Sequence, residues 1–179
     1  FNLDETKPVI LFFGGGEFGL GKDRTLQILK SLIHNLPTYQ IIAVSGRNKR
    51  MNLGFNNIVE ETNSNDRVRV FDYTTKVPEI MSISTLVVTK PGGLTTSESL
   101  ASGLPLLIIN PIPGQEEENA EFLESHNVGV WLKKKDNPDT VIQELFKDKN
   151  KLEKMKENTK LLAKKDSTKD ICRIIMSLD

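Results

Sequence analysis

Two stretches of the chain place glycines, hydroxyls and carboxylates in an order suited to a phosphorylated sugar. In Lys90-Pro91-Gly92-Gly93-Leu94-Thr95-Thr96-Ser97-Glu98, a glycine turn follows an apolar run and opens a helical pattern. The first N–H groups of such a helix lack intrahelical partners and its dipole is positive there, so the turn favours an anion such as a diphosphate. Backbone N–H groups at Gly93, Leu94 and Thr95, with the Thr95 or Thr96 hydroxyl, could hold that charge without a metal ion. The sequence shows no two-carboxylate cluster of the D-x-D kind. Glu98 comes three residues after Thr95 on the same helical face, where a carboxylate can accept from both hydroxyls of a ribose. Alone, it would read as an acid complementing the helix dipole. A strand later, Pro111-Ile112-Pro113-Gly114-Gln115-Glu116-Glu117-Glu118-Asn119 offers an amide, acids and a second amide, with Gln115, Glu116 and Asn119 on a shared face. Sugar hydroxyls need such fixed donors and acceptors.

The elements that must position these residues are legible as alternating apolar runs and helical patterns. Val9–Phe13, Ile41–Val44, Val68–Phe71, Leu86–Val88 and Leu106–Ile109 are short and mostly β-branched, and Gly129–Leu132 makes a sixth. Such runs suit strands buried on both faces of a parallel sheet. Helical spacing follows the first (Leu26, Ile28, Leu29, Leu32, Ile33), the fourth (Leu94 to Ser102) and the fifth (Glu116 to Ser125). The alternation predicts an α/β, Rossmann-like, doubly wound parallel sheet of about six strands with helices on both faces. From Pro138 the pattern is all-helical, carried by Val141, Ile142, Leu145 and Phe146, then Leu152, Met155 and Leu162, then Ile171, Ile174, Ile175 and Leu178. Ser167 with Asp170 predicts a helix-starting capping box. The lysine-rich segment 147–169 is interspersed with acids and suits a solvated helix face or a membrane-surface role. Residues 61–66 read as an exposed loop.

Gly14-Gly15-Gly16-Glu17-Phe18-Gly19 formally satisfies the dinucleotide pattern G-x-G-x-x-G. That pattern also wants an acid after the second strand, where Ser45-Gly46-Arg47-Asn48 stands instead. An NADP-dependent oxidoreductase could use Arg47 but would leave Lys90 to Asn119 unexplained. Gly16 to Lys22 nearly spells a Walker A loop, yet Asp23 replaces the magnesium-binding hydroxyl. A tight turn whose glycines allow close packing is the plain structural alternative. Lys90 suits either a phosphate contact or a strand-end position in solvent.

Together the two motifs resemble the donor-binding, carboxy-terminal half of two-domain nucleotide-sugar glycosyltransferases of the cell-wall and glycolipid type. The likeness is closest to the diacylglycerol glucosyl- and galactosyltransferases, monogalactosyldiacylglycerol synthase-like enzymes, and runs from about Pro8 to about Leu162. It implies one half of a GT-B architecture and an inverting, UDP-sugar-dependent hexosyltransferase. It further implies UDP-glucose or UDP-galactose as substrate and diacylglycerol or glycosyl-diacylglycerol as acceptor, with neither cofactor nor metal required. It places Gly15, Gly16 and Glu17 near the donor diphosphate, with Gly92, Gly93, Leu94, Thr95, Thr96 and Glu98. Gln115 and Glu116, in the loop with Pro113 and Gly114, contact the hexose, and Asn119 joins them. Gly46 and Arg47 lie beside the nucleotide, and Phe71, Tyr73 and Thr74 at the uracil edge, although Phe71, Tyr73 and Val77 also suit ordinary core. The general base and lipid-acceptor surface belong to the amino-terminal domain, so no catalytic residue is expected in this chain. The N-acetylglucosaminyltransferase of peptidoglycan lipid synthesis is the nearest alternative. A nucleotide-sugar-binding subunit needing a membrane-bound partner chain is another.

At 179 residues the chain is long enough for one α/β domain, and its 24 basic and 24 acidic residues give no overall reason to expect nucleic acid. Residues 1–7, without an initiator Met, read as a linker from a missing acceptor domain, and residues 8–179 as the donor-binding domain. No apolar run approaches the ~20 residues needed to span a bilayer. The lone Cys172 precludes an internal disulfide. The expected setting is the cytoplasmic face of the membrane for the full-length protein, with this portion soluble. His34 and His126 have no Ser, Cys or Asp partner at meaningful spacing and read as helix-end histidines.

Overall fold

The computed structural model describes residues 1–14 and 21–178. Six strands, β1 (Val9–Phe13), β2 (Gln40–Val44), β3 (Val68–Phe71), β4 (Leu86–Thr89), β5 (Leu106–Ile109) and β6 (Gly129–Leu132), pair in the order β3-β2-β1-β4-β5-β6. All five pairings are parallel. Helices α1 (Lys22–Asn35), α2 (Lys49–Glu61), α3 (Val77–Ile83), α4 (Gly93–Ala101) and α5 (Gln115–Ser125) form the crossovers. Helices α6 (Pro138–Lys147), α7 (Lys149–Leu162) and α8 (Ser167–Met176) follow the last strand. The sheet and its helical faces are those predicted.

Alternation along the strands divides the core in two. Ile10 and Phe12 of β1 face a layer with Ile28, Leu32, Phe55 and Ile142, whereas Val9 and Leu11 face Ile80, Leu100, Leu104 and Leu123. Both faces are buried, which is why β2 and β4 read as continuous apolar runs. Glycines at two points let the layers approach closely. A Cβ on Gly14 would stand 2.8 Å from Met51 Cγ and Phe55 Cζ, and one on Gly54 2.9 Å from Leu26 Cδ2.

Two helices were not read from the sequence. The α2 helix covers residues past Asn48, whose side chain accepts from Met51 N at 3.0 Å, and buries Met51, Phe55, Ile58 and Val59. The seven-residue α3 follows β3, includes Val77 and buries Ile80 and Met81, where no element was expected. The expected capping box is corrected as well. Ser167 is the first residue of α8, the N-cap is Asp166 and no side chain caps it, while Asp170 pairs with Arg173 at 3.1 Å. His34 lies in the last turn of α1 and His126 caps α5, its Nδ1 2.8 Å from the Phe122 carbonyl, as helix-end histidines should. None of the described residues of α8 is buried.

Candidate functional site

The end of β1, the segments following β2, β3 and β4, and the start of α5 enclose a cleft of about 350 Å³, lined by Phe13, Val44, Gly46, Tyr73, Thr74, Val77, Thr89, Lys90, Gly92, Thr95 and Glu116. In an open parallel sheet the crevice forms where strand order reverses, because neighbouring crossovers leave to opposite faces. Here that point lies between β1 and β4.

The anion-binding expectation rests on the start of α4. Gly92 is its extended N-cap, no side chain caps it, and the first intrahelical bond runs from Thr96 N to Gly92 O at 2.9 Å. The N–H groups of Gly93, Leu94 and Thr95 therefore have no acceptor among the described residues, as the free end of a helix requires. With Gly92 and Thr95 on the cleft wall, these donors and the positive end of the helix lie at its edge. The Thr96 hydroxyl is buried and has no partner among the described residues.

A second loop is stapled to the first. Glu116 accepts from Ile112 N through Oε2 at 2.7 Å, and its Oε1 lies 3.8 Å from the position of a Cβ on Gly92. Asn119 Nδ2 donates to Pro91 O at 2.8 Å. Gly114 sits at φ 97°, ψ −127°, a conformation open to glycine, and so turns the chain into α5. Glu116 and Asn119 thus fix the loop, and Glu116 also reaches the cleft. Gln115 is exposed in the first turn, its side chain free of any hydrogen bond among the described residues.

On the far side, Ser45 N and Oγ both donate to Phe71 O, at 2.9 and 3.1 Å, joining the loops after β2 and β3. Gly46 takes the left-handed conformation at φ 62°. The Arg47 guanidinium stands 5.0 Å from the centre of the Tyr73 ring, a cation–π contact at the cleft mouth.

The structure therefore brings Gly46, Thr74, Gly92, Thr95 and Glu116 to one cleft, with Tyr73, Val77 and Lys90. Phe71 packs its ring edge-on against Phe1 at 5.9 Å and contributes its carbonyl to the loop. Leu94 is 82% exposed. Glu98 is exposed one turn beyond Thr95, outside the cleft wall. Pro113 lines an adjoining cavity. Gly15, Gly16 and Glu17 lie outside the described residues. Phe13 and Val44 were not anticipated as lining residues; they end their strands beside the switch point, which strand order alone discloses.

A larger cavity, about 580 Å³, lies beside α1 and the start of α6. Its most buried polar groups are already engaged: Ser31 donates to Asp139, as does Asn35, and Arg67 donates to the carbonyls of Ile33, Leu36 and Tyr39. Burial lowers the pKa of that guanidinium. The smaller cleft, with its unclaimed donors, is the better site despite its size. Among the described residues no group of three His, Cys, Asp or Glu is placed to hold a metal ion, and no helix is long and apolar enough to cross a membrane.

A parallel sheet in this order, with its cleft at the switch point, defines a Rossmann-like α/β domain. Residues 9–171 match the glycosyltransferase family 28 C-terminal domain, and the chain belongs to that family. It is 34% identical over 177 residues to a processive diacylglycerol beta-glucosyltransferase of Staphylococcus carnosus, covering 99% of this chain and 44% of that protein. The chain thus spans about half the length of the curated relatives it matches. Among solved structures it superposes on Acinetobacter baumannii MurG with a TM-score of 0.78 at 18% identity, covering 96% of this chain and 53% of MurG. It superposes on a UDP-GlcNAc 2-epimerase from Neisseria meningitidis, bound to UDP-GlcNAc, with a TM-score of 0.74 at 17% identity, covering 98% and 46%. These structures share the fold. The family assignment comes from sequence.

Proposed function

We propose that this domain is the donor-binding half of an inverting glycosyltransferase that moves a hexose from UDP-glucose or UDP-galactose to diacylglycerol or a glycosyl-diacylglycerol. The observation that carries the reading is the trio of unclaimed N–H groups at the start of α4, beside a cleft at the switch point. The diacylglycerol beta-glucosyltransferases among its relatives, described as processive, supply the substrate class.

In such a transfer, an acceptor oxygen attacks the anomeric carbon as the bond to the diphosphate breaks on the opposite face. The acceptor proton passes to a general base, and negative charge collects on the departing UDP. The free donors and positive end of α4 stabilise that charge as it develops, without a metal in the proposed scheme. Tyr73 and Thr74 offer the nucleoside a wall, Glu98 reaches for the ribose, and Gln115 and Glu116 meet the hexose. The base, the lipid-acceptor surface and attachment to the membrane's cytoplasmic face belong to the other half of the full-length enzyme. This domain alone binds UDP-sugar without turnover.

Calorimetric titration with UDP, UDP-glucose, UDP-galactose, UDP-GlcNAc, NADP and ATP tests the reading. UDP and UDP-hexose should bind and NADP should not. Binding of NADP without UDP would favour an oxidoreductase, and a preference for UDP-GlcNAc would favour the peptidoglycan branch.

A further inference from the structure

Beside the donor cleft lies a second cavity of about 540 Å³, whose wall includes Arg24, Lys90, Asn110, the Pro111–Pro113 turn, Glu117, Trp131 and Lys134. Lys90 lines both spaces, so they adjoin at the carboxyl end of β4. Its volume falls in the range of about 300–1,000 Å³ usual for small-ligand sites.

The chemistry of its wall is mixed in a particular way. Trp131 is the only tryptophan of the chain, and Lys133 Nζ lies 5.3 Å from the centre of its ring. Its backbone N–H donates to Glu124, but its indole N–H has no partner among the described residues. Asn110, held in the left-handed region at φ 45°, donates through Nδ2 to Thr25 Oγ1 at 2.9 Å, leaving Oδ1 unclaimed among the same residues. Glu117 and Lys90 likewise make no ion pair among them. An indole and an apolar turn beside separate donors and acceptors suit a sugar ring, which presents a C–H surface within a rim of hydroxyls. An acyl chain would bury Glu117 and Lys90 without partners, a costly arrangement. Arg24 and Lys134 stand on the same wall, the Arg24 guanidinium being engaged by the carbonyls of Lys133 and Asp136.

We propose that this cavity is a hexose subsite that holds the sugar already carried by a glycosylated acceptor. Trp131 forms its platform, and Glu117, Asn110 and Lys90 bond the hydroxyls. The inference rests on the donor-domain reading above, since Lys90 then places this sugar beside the bound UDP-hexose.

The single indole N–H resonance makes a direct reporter. The domain is titrated with methyl β-D-glucoside, with and without saturating UDP, while its amide and indole N–H shifts are followed. The expected result is a saturable shift of the indole resonance, weakened at least five-fold in Glu117→Gln, with the UDP titration of that variant unchanged. An indole resonance unmoved by the glucoside while UDP binds normally would overturn the subsite alone. So would an unchanged response in Glu117→Gln, or a shift produced by dihexanoylphosphatidylcholine and not by the glucoside. Failure of UDP to bind would instead contradict the donor reading, which the UDP titration reports separately.

Discussion

Gln115 opens α5 and Glu98 lies in the second turn of α4, and substitution should separate their roles. Glu98→Ala should weaken UDP binding about ten-fold or more, since a charge-assisted hydrogen bond contributes roughly 1.5–3 kcal/mol. Gln115→Ala should leave UDP nearly unchanged while reducing the preference for UDP-hexose over UDP. Calorimetry on both variants checks the pair, and normal UDP binding by Glu98→Ala would remove the ribose role. Gly14 concerns packing instead. With Met51 and Phe55 2.8 Å from a new Cβ, Gly14→Ala should cost about 1–3 kcal/mol in denaturant unfolding. Residue types in the two loops were legible because glycine, threonine and carboxylate at fixed offsets have few other uses together. What sequence could not disclose is that Glu116 and Asn119 spend hydrogen bonds on the loops themselves, on Ile112 N and Pro91 O.

At the scale of elements, the loops before α4 and α5 act as one because Asn119 on α5 holds the turn before α4. Asn119→Ala should lower stability by about 0.5–1.5 kcal/mol, the usual net value of such a bond, and weaken UDP-hexose binding by loosening the Pro91 turn. Thermal unfolding and calorimetry on the same variant would show both. The six strands and the helices α1, α4 and α5 were readable because apolar runs end at glycine, proline or polar clusters. The α2 helix escaped notice although Met51, Phe55, Ile58 and Val59 recur at helical spacing. Asn52, Asn56 and Asn57, poor helix formers, lie among them, and no glycine or proline marks the helix start. At seven residues, α3 is too short for periodicity to show. For α8, Ser167 and Asp170 had capping-box spacing, but Asp170 turns to Arg173 instead.

Across the molecule, the sheet rather than any loop decides where the cleft lies. Phe13 and Val44 enter its wall only because β1 stands between β2 and β4, and strand order is not written in local sequence. At the other extreme, α8 leaves Ile171, Ile174 and Ile175 57–61% exposed. Ending the chain before Ser167 should therefore change unfolding free energy by less than about 0.5 kcal/mol, as for other changes outside the core. A larger loss in denaturant titration would show that α8 supports the fold. The central claim is that the free end of α4 holds the diphosphate of a UDP-sugar, and amide chemical shifts during a UDP titration test it most directly. The account predicts saturable shifts largest at Gly93, Leu94 and Thr95, and weaker binding in Glu98→Ala. Saturable UDP binding that leaves those three amides unmoved would contradict it.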